Sequence, residues 1–210
     1  KTHMAQHYKL KEDDFDVVYN GVDIKRFTPP AAQPSGDLKI LFSAGNFRLK
    51  GLGPLIEAIG DISKKRRDFR LVVMGRGKRR RYSELIRRHN VTDLVVFLGE
   101  QTSPEKVYRE SHMLVHPTFY DACSLTTMES MASGLPTITT KWNGASALLS
   151  EGEGFVIDDP RNVVELSGAI SRLFDENLRI SMGKAARQKI EQFTMEKNAA
   201  AMENVLLSTL

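Results

Sequence analysis

Residues 38–75 read LKILFSAGNFRLKGLGPLIEAIGDISKKRRDFRLVVMG. The stretch opens on a short β-branched run, LKILFSAG, and closes on another, FRLVVMG. Between them Leu52, Leu55, Ile56, Ile59 and Ile62 fall at the i, i+3, i+4, i+7 spacing of one helix face. In the second run, Leu71-Val72-Val73-Met74 carries apolar residues at successive positions. That marks a strand buried on both faces, as in a parallel sheet covered by helices. The alternation continues outward. LVVFLG, MLVHP, LPTITT and GFVI follow as strand runs as far as Ile157, and Tyr82, Leu85, Ile86 and His89 mark a second helix face. After Asp158 only helical patterns remain, over Asn162 to Phe174, Glu176 to Ile190 and Met195 to Leu207. The expected fold is α/β, a doubly wound parallel sheet with an all-helical C-terminal segment.

The bulk properties fit that reading. The 210 residues are 41% hydrophobic and 27% charged, the make-up of one globular domain rather than of a disordered chain. No apolar run approaches the roughly 20 residues of a membrane helix, and no charged-then-apolar leader opens the chain. A cytoplasmic location is expected. The single cysteine, Cys123, can form no internal disulfide, and no second cysteine or nearby histidine offers zinc-ligand spacing. The net charge of +4 is concentrated in Lys64-Lys65-Arg66-Arg67 and Lys78-Arg79-Arg80-Arg81. Such clusters suit phosphates, nucleic acid or an anionic membrane face, and equally a solvated helix end. The opening segment enters on a polar helical stretch with no cap and only then reaches the strand-like Asp16-Val17-Val18-Tyr19.

In doubly wound sheets ligands bind beyond the carboxyl ends of the strands, so the residues after each strand are the ones to inspect. After the first strand, Gly45 and Asn46 permit a close turn, and Arg48 and Lys50 follow ahead of an apolar helix. A planar fork and a point charge so placed suit a diphosphate. After the second, Gly75-Arg76-Gly77 is a weak fragment of a dinucleotide fingerprint and reads more naturally as a tight turn. After the fourth comes DACSLTTMES, residues 121–130. A helix starting near Ser124 presents unpaired N–H groups and its positive dipole end to whatever lies in front of it. Ala122, Cys123 and Ser124 are small enough for a ligand to approach the backbone, and Leu125 opens the helix. Asp121 and Glu129 then flank the anion site, each able to accept hydrogen bonds from hydroxyls. A diphosphate between two polyols, a nucleotide sugar, matches this layout; a capping Asp121 and a surface Glu129 match it too.

The spacing acid-x7-Glu followed by SMASGLPTITT, with AGNFRLKG upstream and YNGVDIKRF at the head, resembles the group 1 glycosyltransferases (family 4) of the GT-B fold. The resemblance runs from about Val18 to Ile157, with its elements in the family's order. It implies the C-terminal, donor-binding Rossmann-like half of a GT-B enzyme, with residues 1–16 a remnant of the interdomain region and 17–210 the nucleotide-sugar-binding domain. It implies a retaining transfer of a sugar from a nucleoside diphosphate, UDP by preference, to an acceptor hydroxyl, in envelope polysaccharide or lipopolysaccharide synthesis, with no metal or other cofactor. On matching positions Arg48 and Lys50 are expected to neutralise the diphosphate, Glu129 to bind the ribose and Asp121, where the family usually has Glu, to hold the transferred sugar. Gly45, Asn46, Gly75, Ala122, Cys123, Ser124 and Leu125 complete the expected donor site. The acceptor, a glycan or a lipid-linked molecule, would be held by the missing half, so the fragment alone is expected to be inactive. Peripheral contact with the inner face of a membrane is expected from the basic loops. Two other classes remain open: a sugar-nucleotide epimerase on the same fold, and a basic nucleic-acid module, which the few and core-like aromatics disfavour.

Overall fold

A computed structural model describes residues 2–9 and 11–208; the expected interdomain remnant therefore includes two residues, Lys1 and Leu10, that lie outside the described residues. In chain order the elements are α1 (Thr2–Tyr8), β1 (Leu38–Ser43), α2 (Leu52–Ser63), β2 (Phe69–Met74), α3 (Ser83–Arg88), β3 (Val95–Gly99) and α4 (Pro104–Arg109). They continue with β4 (Met113–His116), α5 (Leu125–Ala132), β5 (Thr137–Thr140), β6 (Gly154–Ile157), α6 (Val163–Arg172), α7 (Glu176–Ile190) and α8 (Met195–Ser208). The strands form one sheet in the order β3-β2-β1-β4-β5-β6, and every pairing is parallel.

Successive apolar residues on the inner strands serve opposite faces. Ile40, Phe42, Leu71, Val73, Met113 and Val115 join the core under α2, α3 and α6, whereas Leu41, Val72, Met74 and Leu114 join the core under α4, α5 and α7. Alternation of the side chains, with helices on both sides, is what makes the runs read as continuous hydrophobic stretches. The edge strand β3 is the exception. Val96 and Leu98 remain about two-fifths exposed, at 40% and 38%, because no strand covers their outer flank.

One expectation fails: Asp16 to Tyr19 is not a strand. The segment packs instead against the C-terminal helical region. Asn198 donates through Nδ2 to the Tyr19 carbonyl at 2.6 Å, the Tyr19 ring meets Phe193 edge-on, and Val22 makes an isolated bridge to Thr194. The β-branched pair at 17–18 is thus spent on an extended strap, with Val17 itself 53% exposed.

The two basic clusters part company as well. Residues 64–67 precede β2 and residues 78–81 follow it, so the strand's full length of about 20 Å separates them. At the first cluster Lys64, Arg66 and Arg67 pair with Asp61, Asp68 and Asp93, and Arg66 lies 3.8 Å over the Phe174 ring. The expectation of one joint membrane-facing patch is overturned; only 78–81 lies at the carboxyl edge.

Strand order reverses between β1 and β4, which makes their carboxyl ends the topological switch point. The two loops there are locked together. Gly51, which caps α2 with φ +83°, would place a Cβ 2.0 Å from the Pro117 carbonyl oxygen. Any side chain at this position both strains the backbone and prises the loops apart. Gly51→Ala is expected to lower stability by roughly 3 kcal/mol or more in urea denaturation, whereas Gly36→Ala, which shares the positive φ but has open space around it, should cost about 1–2 kcal/mol.

Candidate functional site at the switch point

The loop after β1 folds on its own asparagine. The Asn46 carbonyl accepts from Lys50 N–H at 3.0 Å and its Oδ1 from Leu49 N–H at 3.2 Å, which turns the Lys50 side chain toward β4. There Lys50 Nζ donates to Asp121 Oδ2 at 2.6 Å and to the Tyr120 carbonyl at 3.0 Å. Both partners are only 18% exposed at the side chain. His116, the last residue of β4, places Nε2 at 3.6 Å from the same carboxylate oxygen, too long for a hydrogen bond.

Asp121 is held from behind by backbone. Its N–H donates to the Trp142 carbonyl at 3.0 Å and its carbonyl accepts from Gly144 N–H at 2.8 Å. Between those residues lies Asn143, fully buried, whose four bonds knit the site. Its Oδ1 accepts from Ser124 N–H at 3.3 Å and Ala145 N–H at 3.0 Å, and its Nδ2 donates to the hydroxyls of Thr127 at 2.9 Å and Thr139 at 3.0 Å. The threonines of β5 complete the frame: Thr139 donates to the His116 carbonyl and Thr140 to the Thr118 carbonyl. TITT is therefore more than a β-branched run; its hydroxyls satisfy the carbonyls of the neighbouring strand's exit loop.

Ser124 caps α5, accepting from Thr127 N–H through its side chain. That leaves the N–H groups of Leu125 and Thr126 with no acceptor among the described residues, at the positive end of the helix. Ala122 is exposed and Cys123 half-buried, burial pushing the thiol pKa up. The Cys123 carbonyl is taken by Asn20 Nδ2 at 3.0 Å. On the next turn Glu129 accepts from the hydroxyl of Tyr108 at 2.8 Å. Burial raises the pKa of both groups, and the glutamate's charge further raises that of Tyr108.

The sequence profile described as "Glycosyl transferases group 1" matches residues 24–189. The chain belongs to that family. A D-inositol 3-phosphate glycosyltransferase of Paenarthrobacter aurescens is 28% identical over 213 residues, covering 94% of this chain and 52% of its own length. A lipopolysaccharide core biosynthesis mannosyltransferase of Rhizobium meliloti is 26% identical over 216 residues, covering 92% and 61%. The chain thus spans about half to three-fifths of the length of these relatives. Among solved structures, Anabaena HepE in complex with UDP and glucose superimposes with a TM-score of 0.82 at 18% identity, over 98% of this chain and 60% of HepE. The fold is that of the C-terminal domain of GT-B glycosyltransferases.

Within this glycosyltransferase domain the expected residues do not all converge. Lys50, Asp121 and the start of α5 come together; Glu129 lies one helical turn further on. Arg48 does not join Lys50 at Asp121. It is exposed and lines two adjoining clefts, of about 620 and 250 Å³, each shared with Tyr82. Gly45 is exposed. The need for glycine at Gly75 has a packing explanation: φ is +126°, a Cβ would sit 1.8 Å from the Ala44 carbonyl oxygen, and its N–H is occupied by the Gly99 carbonyl. Three residues escaped the sequence reading as members of the site: Asn143, Tyr108 and His116. The WNG that follows TITT is a turn signal and was the one available pointer, to Asn143.

Among the described residues no cluster of three or more His, Cys, Asp or Glu is arranged to hold a metal. The electrostatics of Asp121 rest on its neighbours. Burial opposes its charge, and His116 and Lys50 outweigh burial, holding the carboxyl at about 2 rather than 3.8. The unfolded chain takes up this proton first on acidification. The pair's contribution, about 2 kcal/mol, is complete above about pH 4 and is lost as the pH falls toward 2. Chemical denaturation from pH 5 to pH 3 should show the wild type losing more stability than Asp121→Asn; parallel losses would mean the pair contributes nothing.

Proposed function

We propose that this domain binds the donor of a retaining glycosyltransferase, a nucleoside diphosphate sugar with UDP as the carrier, and presents it to an acceptor hydroxyl held by the other half of the enzyme. The observation that carries the reading is the pairing of Lys50 with Asp121 in front of the unoccupied N–H groups of Leu125 and Thr126. One ammonium and one helix N-terminus are suited to a diphosphate, and a carboxylate beside them is suited to sugar hydroxyls. HepE, of the same fold, was solved with UDP and glucose. Glu129, steadied by Tyr108, is the group for the ribose. On this reading residues 17–210 are the donor domain and 1–16 the end of the interdomain region.

Lys50 and the dipole of α5 act on the leaving diphosphate, whose charge grows in the transition state, so their stabilisation is larger there than in the ground state. No divalent ion is needed for that role. Arg48, from its cleft beside Tyr82, contributes a longer-range field. A lipopolysaccharide or polysaccharide acceptor is supported by the mannosyltransferase relative, and residues 78–81 offer positive charge toward an anionic membrane.

A thermal-shift panel of UDP, GDP, ADP, UDP-glucose, UDP-N-acetylglucosamine and GDP-mannose on this chain tests the reading. Stabilisation is expected for UDP and one UDP-sugar, unchanged by EDTA. In calorimetric titration Lys50→Ala should weaken UDP about tenfold to a hundredfold, the loss of one charge-assisted contact, and Arg48→Ala less. Asp121→Ala should leave UDP nearly unchanged and remove the sugar's added affinity. A magnesium requirement, or an Asp121→Ala loss for UDP equal to that of Lys50→Ala, would contradict the assignment.

A further inference from the structure

His116 is 1% exposed, yet neither ring nitrogen has a hydrogen-bond partner among the described residues. Leaving a buried imidazole unpaired costs the folded chain stability. The residue is nonetheless fixed in place. Its ring lies against Phe42 of β1, with centroids 6.2 Å apart and planes 29° from parallel. Its carbonyl accepts from the Thr139 hydroxyl and from Thr118 N–H, each at 2.8 Å. Burial lowers its pKa, Asp121 opposing and Lys50 reinforcing that shift, so the ring is neutral at pH 7 with one N–H to donate.

The carboxylate in front of Nε2 is Asp121, whose Oδ2 lies 3.6 Å away and is occupied by Lys50. Lys50 faces two demands once a diphosphate is bound, because phosphate oxygens compete with Asp121 for the same ammonium. We propose that His116 is a positioning residue that takes over Asp121 when the donor's diphosphate draws Lys50 away. A closing movement of about 0.7 Å brings Nε2 and Oδ2 to ordinary hydrogen-bond distance. The imidazole then holds the carboxylate toward the transferred sugar's hydroxyls while Lys50 serves the leaving group. One structural feature thus accounts for both the unpaired ring and the shared oxygen. The inference rests on the proposed donor reading, since it requires a diphosphate at Lys50 and a sugar at Asp121.

The test is calorimetric titration of the wild type, His116→Gln, His116→Asn and His116→Leu with UDP and with the UDP-sugar selected by the panel. Glutamine can offer an N–H near the position of Nε2; the shorter asparagine reaches only that of Nδ1, and leucine offers none. His116→Leu and His116→Asn are expected to keep UDP affinity within about twofold and to lose about tenfold of the sugar's added affinity, one hydrogen bond's worth. His116→Gln should recover most of it. If leucine misfolds, the comparison of glutamine with asparagine decides. Retention of the full sugar increment in the asparagine variant, glutamine no better than asparagine, or equal weakening of UDP and UDP-sugar would overturn the role of His116 alone. A wild type that binds no nucleotide would overturn it together with the donor reading.

Discussion

The ion pair between Lys50 and Asp121 joins residues 71 positions apart in sequence, at the one place where the strand order of the sheet reverses. Most other ion pairs of the chain are solvent-exposed and of the kind that contributes between nothing and about 1 kcal/mol. This one is partly desolvated, with both side chains 18% exposed, and each partner is oriented by its own loop. Without the Asn46 turn, the glycine at 51 and the backbone bridge to Trp142 and Gly144, the two charges would not meet. A pair in this position cannot be judged as stabilisation alone, because desolvation offsets much of its attraction. Its value lies in holding a cation and a carboxylate side by side, ready to separate.

Around the pair the domain buries an unusual amount of polar surface. Ser124, Thr127, Thr139, Thr140 and Asn143 are all at 2% exposure or less, and each has a protein partner. Satisfied networks of this kind are rigid, and half-satisfied ones are costly. The frame therefore fixes the start of α5 while leaving two of its N–H groups open. His116 is the one member left unpaired, and it lies against the ion pair rather than elsewhere in the core. Binding and catalysis by fixed dipoles need this combination, a stiff scaffold with its unmet hydrogen bonds confined to the ligand's side.

The fold was legible because its signal is local. The 3.6-residue period of α2 and α7 and the apolar runs of β1 and β2 arise from burial on known faces, and α7 begins and ends at the residues its pattern indicates. The segment at Asp16 to Tyr19 misled because a strap over helices needs the same β-branched residues as a strand. In the site, Asp121 and Glu129 were legible from their spacing around a helix start. Tyr108 was not, since its partner lies 21 positions away and across the space between α4 and α5. Asn143 reaches Ser124 over 19 positions, through a loop whose course only the tertiary structure determines. Arg48 shows the converse: two cations close in sequence need not face one ligand, because alternate residues of a tight turn point to different sides.

The central claim is that Lys50 leaves Asp121 for a diphosphate seated on the start of α5. A crystal structure of this chain with UDP tests it most directly. The account predicts phosphate oxygens within hydrogen-bond distance of Lys50 Nζ and of the N–H groups of Leu125 and Thr126, with the ribose at Glu129. A nucleotide bound elsewhere, or one bound here while Lys50 keeps its contact with Asp121 and touches no phosphate, would contradict it.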